Sequence, residues 1–182
     1  YFMDNVNYGI IGNCRSAALI SDKGSIDWCC LPIFDSPSVF AKLLDEEKGG
    51  FQSFDVTDDY SITQKYMWDT NILRTMYDNG EDAFEVFDFM PRYEKADGKF
   101  YAPPDIIRFI RLVKGKPSFI CNYDPKLEYA KNKTITVDKT NYIESYTEEG
   151  KYDSLYLYTD IDHSFILEGA KISLESNAFI LM

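Results

Sequence analysis

Short apolar runs of strand length alternate with polar turns along most of this chain. Ala17–Ile20 and Ile26–Leu31 flank Ser21-Asp22-Lys23-Gly24-Ser25, which predicts a hairpin whose turn draws on the positive φ open to Gly24. Pro32 stops the second of these strands. Tyr60–Tyr66, Ile72–Tyr77 and Ala83–Met90 read as strands, the last two joined through Asp78-Asn79-Gly80-Glu81, where Asn-Gly is a hairpin signal. Ile106–Val113 and Ser118–Tyr123 predict a further pair around Lys114-Gly115-Lys116-Pro117. Thr134–Val137, Tyr142–Tyr146, Leu155–Thr159, Ser164–Leu167, Ile172–Leu174 and Phe179–Met182 continue the series. One helix is expected near residues 37–44, with Ser36 as N-cap, Pro37 in the first turn and Phe40, Leu43 and Leu44 on one face. Many short strands at regular spacing give an all-β fold, an antiparallel β-sandwich. The apolar run Ala178–Met182 lacks a closing polar tail, so the domain over residues 1–182 is expected to be truncated.

Composition agrees with that pattern and narrows the partners. The 182 residues suit one large domain, and a hydrophobic fraction of 45% is enough to build a core. Tyr 14 and Phe 13 favour strands, where rings pack on a half-buried pleated surface. A net charge of -11 repels phosphate backbones and anionic lipid, so neither nucleic acid nor membrane is expected as a partner. The sequence shows no run of membrane-span length and no signal peptide, which predicts a cytoplasmic protein. Cys14, Cys29, Cys30 and Cys121 are expected as buried free thiols. Tyr1 and Phe2 precede Met3 and are read as lying outside the native start.

Candidate chemistry is sparse. The one histidine, His163, follows Asp160 and Asp162 where a turn between strands is expected, and no G-x-S-x-G elbow accompanies it. These three residues are too few for a metal site. Gly9-Ile10-Ile11-Gly12 lacks the third glycine of a phosphate loop, and no cofactor is expected. Asn132-Lys133-Thr134 is a glycosylation sequon only in a secreted eukaryotic protein. Among 30 acidic residues, Asp27 and Asp35 stand out for their apolar neighbours. Asp27 either pairs with Arg15 or faces a ligand, with Trp28 beside it as a stacking surface or a core residue. Asp35 either helps cap the helix or serves the rim of a site. An exposed sugar-binding platform would need an aromatic with hydrogen-bonding neighbours, for example Trp68, Tyr66 and Asp69, which keeps a free-standing carbohydrate-binding module as the alternative function.

The ordered stretch from Tyr8-Gly9-Ile10-Ile11-Gly12-Asn13-Cys14-Arg15-Ser16 through Gly24-Ser25-Ile26-Asp27-Trp28 to Phe34-Asp35-Ser36-Pro37-Ser38-Val39-Phe40-Ala41 resembles the opening of glycoside hydrolase family 15 proteins. That family is the bacterial and archaeal glucoamylase, glucodextranase and trehalase group. Asp45 with Gly49-Gly50-Phe51, Phe87-Asp88-Phe89-Met90-Pro91, Ile107-Arg108-Phe109-Ile110-Arg111, and Asp124-Pro125 with Tyr129 extend the likeness to about Lys131. Ile33 departs from it, standing where a basic residue is expected. The resemblance implies a β-sandwich of supersandwich type, N-terminal to an (α/α)₆ barrel that carries two catalytic glutamates. It also implies an inverting α-glucoside hydrolase, in which one glutamic acid protonates the leaving oxygen and one glutamate activates water. No run of amphipathic helices is present here, so no catalytic residue is expected in this chain. Its partners would be the C-terminal helical domain and, through it, an α-glucoside or glucan. Arg15, Asp27, Trp28, Phe34, Asp35 and Ser36 are the candidates for an active-site rim or a domain interface, with the Ile33–Val39 loop foremost.

Overall fold

The computed structural model describes residues 7–149 and 154–182. The reading of Tyr1–Met3 falls outside them. The strands are β1 (Tyr8–Gly12), β2 (Ala17–Ser21), β3 (Ile26–Cys30), β4 (Ser38–Phe40), β5 (Phe51–Asp55), β6 (Ser61–Tyr66), β7 (Leu73–Asp78), β8 (Ala83–Phe89), β9 (Tyr93–Glu94) and β10 (Phe100–Tyr101). They continue as β11 (Ile107–Lys114), β12 (Ser118–Asp124), β13 (Thr134–Lys139), β14 (Tyr142–Thr147), β15 (Ser154–Thr159), β16 (Lys171–Ser173) and β17 (Ala178–Leu181), with one short α-helix among the described residues, α1 (His163–Leu167), and a 3-10 turn at Glu128–Ala130. Every pairing is antiparallel. A seven-stranded sheet runs β1-β2-β3-β5-β12-β16, with β4 added on β3, and an eight-stranded sheet runs β13-β14-β15-β17-β11-β8-β7-β6. The all-β sandwich is therefore the observed fold.

Side-chain alternation explains the layering. Ile11, Ile20, Ile26, Phe54, Phe119 and Cys121 from one sheet meet Leu73, Tyr77, Phe84, Val86, Ile110 and Ile180 from the other in a single core. Phe84 joins the two layers, lying parallel to Tyr77 at 4.5 Å and tilted on Phe119 at 4.9 Å. Phe119 in turn meets Phe54 edge-on at 5.3 Å. One fully buried charge pair lies within this core. Arg108 Nε donates to Asp88 Oδ1 at 2.7 Å and Nη2 donates to Asp88 Oδ2 at 3.1 Å. The same guanidinium donates to the Gly24 carbonyl at 2.6 Å and to both oxygens of Gln52, and it lies 4.7 Å from the Phe54 ring. It thereby ties the eight-stranded sheet to the β2–β3 turn and to β5 of the opposite sheet. On the outer face, Glu85 is bridged by Arg74 and Arg111.

The β2–β3 hairpin and the Asn-Gly hairpin form as the sequence predicts, with Gly24 at φ 80 and Gly80 at φ 91. A methyl group on Gly24 would lie 2.1 Å from the Tyr77 hydroxyl, which donates to the Lys23 carbonyl, so this turn needs glycine for space as well as for φ. Four expectations are corrected. No helix forms over 37–44: Ser38–Phe40 is a strand paired with β3, and Leu44 is exposed. Ser36 Oγ accepts from the Ile33 amide behind it and does not cap forward, while Val39 and Phe40 fill a free ladder position for which their shapes suit them. Ser164–Leu167 lies in helix α1, because Asp162 Oδ1 accepts from the Ser164 amide at 2.9 Å as N-cap. β11 and β12 do not pair with each other. Lys114–Pro117 crosses between sheets, held by Asp82 Oδ1 accepting from the Lys116 amide. Cys29, Cys30 and Cys121 are buried free thiols as expected, but Cys14 is exposed.

Candidate functional site

The antiparallel order brings several connections to one end of the sandwich. These are 13–16 between β1 and β2, 31–37 between β3 and β4, 67–72 between β6 and β7, 90–106 between β8 and β11, and the segment after β12. Hydrogen bonds tie them into one surface. Asn13 Nδ2 donates to the Pro103 carbonyl at 2.8 Å, while Asn13 Oδ1 accepts from the Arg15 and Ser16 amides. Asn71 Nδ2 donates to the Gly12 carbonyl, the Phe34 amide donates to the Arg15 carbonyl, and the Tyr129 hydroxyl donates to the Ser36 carbonyl.

This surface is studded with uncovered rings. Trp68 is 95% exposed, Phe34 61%, Phe100 59% and Tyr93 52%. Around the β9–β10 hairpin, Arg92 lies over Phe100 at 4.1 Å and Lys95 over Tyr101 at 4.4 Å, and Tyr93 meets Tyr101 edge-on at 5.4 Å. Isolated exposed apolar side chains are ordinary; a set of large exposed rings on one loop surface is less common.

A cleft of about 360 Å³ opens beside these loops, between the β3–β4 connection and β15. Leu31, Pro37, Val39, Leu127, Tyr156 and Met182 contribute to its walls. Ser38 and Asp105 are the polar groups of interest there. Ser38 Oγ is completely buried and has no hydrogen-bond partner among the described residues. Asp105 forms no ion pair or side-chain hydrogen bond among them, and burial pushes its carboxyl above the ordinary carboxylate range. The sign follows from that direction: the fold disfavours the charged form, so stability falls as pH rises through the raised value. Asp105→Asn is therefore expected to raise the thermal unfolding midpoint at about pH 7, and the gain should vanish below roughly pH 3.9. Calorimetric scans across that range provide the measurement.

Of the residues picked from sequence, Arg15, Phe34, Asp35 and Ser36 sit together on the loop surface. Asp27 and Trp28 do not join them. Asp27 lies in a second, wider groove of about 910 Å³ along the outer face of β3 and β5. Its Oδ1 accepts from Ser25 Oγ at 2.5 Å and its Oδ2 from the Tyr8 hydroxyl at 2.9 Å, so it makes no pair with the exposed Arg15. Burial and then the Asp27 carboxylate push the Tyr8 hydroxyl up to about 12. Trp28 is half-buried in β3. Tyr66 spends its hydroxyl on the Ile10 backbone, leaving Trp68 as the free ring of that loop. His163 Nδ1 meets Asp138 Oδ1 at 2.6 Å, tying α1 to β13. Among the described residues no group of three or more His, Cys, Asp or Glu is placed to hold a metal ion. No described helix is long and apolar enough to cross a membrane.

Sequence reasoning missed Tyr93, Phe100, Tyr101 and Asp105, and took Ser38 only as part of the Ile33–Val39 loop. The signal was aromatic residues inside an otherwise polar, turn-rich stretch between Pro91 and Pro104.

Comparison with known proteins yields consistent relatives. Residues 6–152 match the family described as "Trehalase-like, N-terminal". A trehalase of Thermoplasma volcanium is 36% identical over 132 residues, covering 70% of this chain and 20% of that protein. Trehalase 1 of Sulfolobus acidocaldarius is 44% identical over 88 residues, 48% of this chain and 15% of the relative. A Mycolicibacterium smegmatis trehalase is 25% identical over 135 residues, again 20% of its length. The chain thus spans about a fifth of the curated relatives it matches. No solved structure matches it.

Proposed function

The chain belongs to the trehalase-like N-terminal domain family, and on that premise we propose that it is the non-catalytic N-terminal domain of an inverting α-glucoside hydrolase of glucoamylase or trehalase type. Its work is to pack on a C-terminal helical catalytic domain through the aromatic loop surface and to support that domain. The β3–β4 connection, with Phe34, Asp35 and Ser36, is the segment that would reach the active-site rim, and Arg15 buttresses it through the Phe34 amide. The observation that carries this reading is the cluster of large uncovered rings at one end of an otherwise well-packed sandwich, in a chain whose match covers 20% of a much longer relative. Buried free thiols and the absence of disulfides among the described residues fit a cytoplasmic setting. Asp27 and Trp28 are assigned to the structure of β3 and not to the rim.

The test is glucose release from trehalose, maltose and isomaltose by this chain and by the full polypeptide that contains it. Activity is expected only from the full polypeptide. Robust hydrolysis by residues 1–182 alone would sink the reading.

The exposure of Trp68 favours one second reading, a carbohydrate-binding module that stacks this ring on a sugar. Under the first reading, titration with the same three sugars leaves tryptophan fluorescence unchanged. A saturable change that disappears in Trp68→Ala would establish the second. That variant leaves stability within about 0.5 kcal/mol, since an exposed ring adds little to the fold.

A further inference from the structure

We propose that the cleft beside the loop surface is a socket for an arginine side chain of the catalytic portion. This rests on the reading that the loop surface packs against that portion. Ser38 Oγ is a fully buried hydroxyl with no partner among the described residues, at a wall of a cavity that opens to the surface. Native proteins rarely leave such a group unsatisfied, because desolvation without a compensating hydrogen bond is costly. Asp105 brings to the same cavity a carboxylate that has no ion-pair partner among the described residues. Covering the cleft would deepen its desolvation, and only a cation or a proton relieves that.

The walls fit a guanidinium on an aliphatic stem. Leu127, Leu155 and Val39 offer apolar surface along the cavity, and Tyr156 and Tyr158 add two rings that are each 41% exposed. Arginine carries methylenes, stacks on aromatic faces and meets carboxylates in a fork. It is also less strongly hydrated than lysine, which eases its burial. A sugar suits the cleft less well, because its hydroxyls would face mostly apolar walls. The net charge of -11 favours a basic complement from the partner surface.

Hydroxyl-radical footprinting of residues 1–182 and of the full polypeptide tests this. Tyr156 and Tyr158 should be modified about tenfold more slowly in the full polypeptide, and Asp105→Arg should abolish their protection while Trp68 and Phe34 stay protected. If Trp68 and Phe34 are protected but Tyr156 and Tyr158 are not, the socket is wrong and the packing reading survives. If none is protected, both fall. Protection that withstands Asp105→Arg would mean an uncharged occupant and would overturn the proposal. So would native mass spectrometry showing a small molecule retained in the shorter chain and shielding the same tyrosines.

Discussion

Replacing Arg108 by methionine is expected to destabilise the fold by about 3–5 kcal/mol, because it leaves the Asp88 carboxylate buried without its counter-charge. Both side chains are fully buried, so water cannot take over the lost role. The substitution also strips donors from the Gly24 carbonyl and from Gln52, groups that belong to the opposite sheet. A domain with a typical 5–15 kcal/mol of stability would lose a large share of it. Urea unfolding followed by circular dichroism gives the number. Arg108→Met combined with Asp88→Leu is expected to recover most of the loss, since an apolar pair removes the charge desolvation that the ion pair must overcome. A single variant as stable as the wild type would show that water reaches Asp88 in solution.

Phe84→Ala carries the second large effect, about 3–5 kcal/mol, with a cavity left between the sheets. Phe84 is completely buried and touches both layers, parallel to Tyr77 and tilted against Phe119. Its removal unseats the Tyr77 ring, whose hydroxyl anchors the Lys23 carbonyl in the β2–β3 turn. Phe84→Leu should lose markedly less, because it keeps most of the volume while forfeiting the ring contacts. Equal losses for the two would mean that the ring stack, and not the filled volume, sets the stability of this region.

The strands were legible because apolar alternation and turn chemistry agree in most of the chain. Asp78-Asn79-Gly80-Glu81 closes its hairpin with side-chain bonds from Asp78 and Asn79 that are local in sequence. Where local chemistry and tertiary pairing compete, sequence reasoning failed. Pro37 and Ser36 have the marks of a helix start, yet β3 offered Ser38–Phe40 a ladder. Asp162 and Ser164 made a short helix from residues whose apolar run suggested a strand. The charged core was visible in principle. Asp88 shares inward parity with Phe84 and Val86, and Arg108 shares it with Ile106 and Ile110, so two opposite charges at core positions implied each other. The loop surface was only half legible. Asp35 was picked from its apolar neighbours and the loop around it as a strand end mixing aromatic with polar groups, but the meeting of Gly12 and Asn13 with both 67–72 and 90–106 depends on which sheet ends coincide, and no local pattern encodes that.

The place of β17 in the larger sheet has a consequence for synthesis on the ribosome. Ala178–Leu181 sits between β15 and β11, and it alone joins β13-β14-β15 to β11-β8-β7-β6. Until those residues leave the exit tunnel, the nascent chain holds two partial sheets with bare edges at β11 and β15. Antiparallel edges of that kind pair readily with foreign strands. Nascent polypeptides stalled upstream of Ala178 should therefore recruit chaperones and aggregate more than those in which Ala178–Leu181 has emerged.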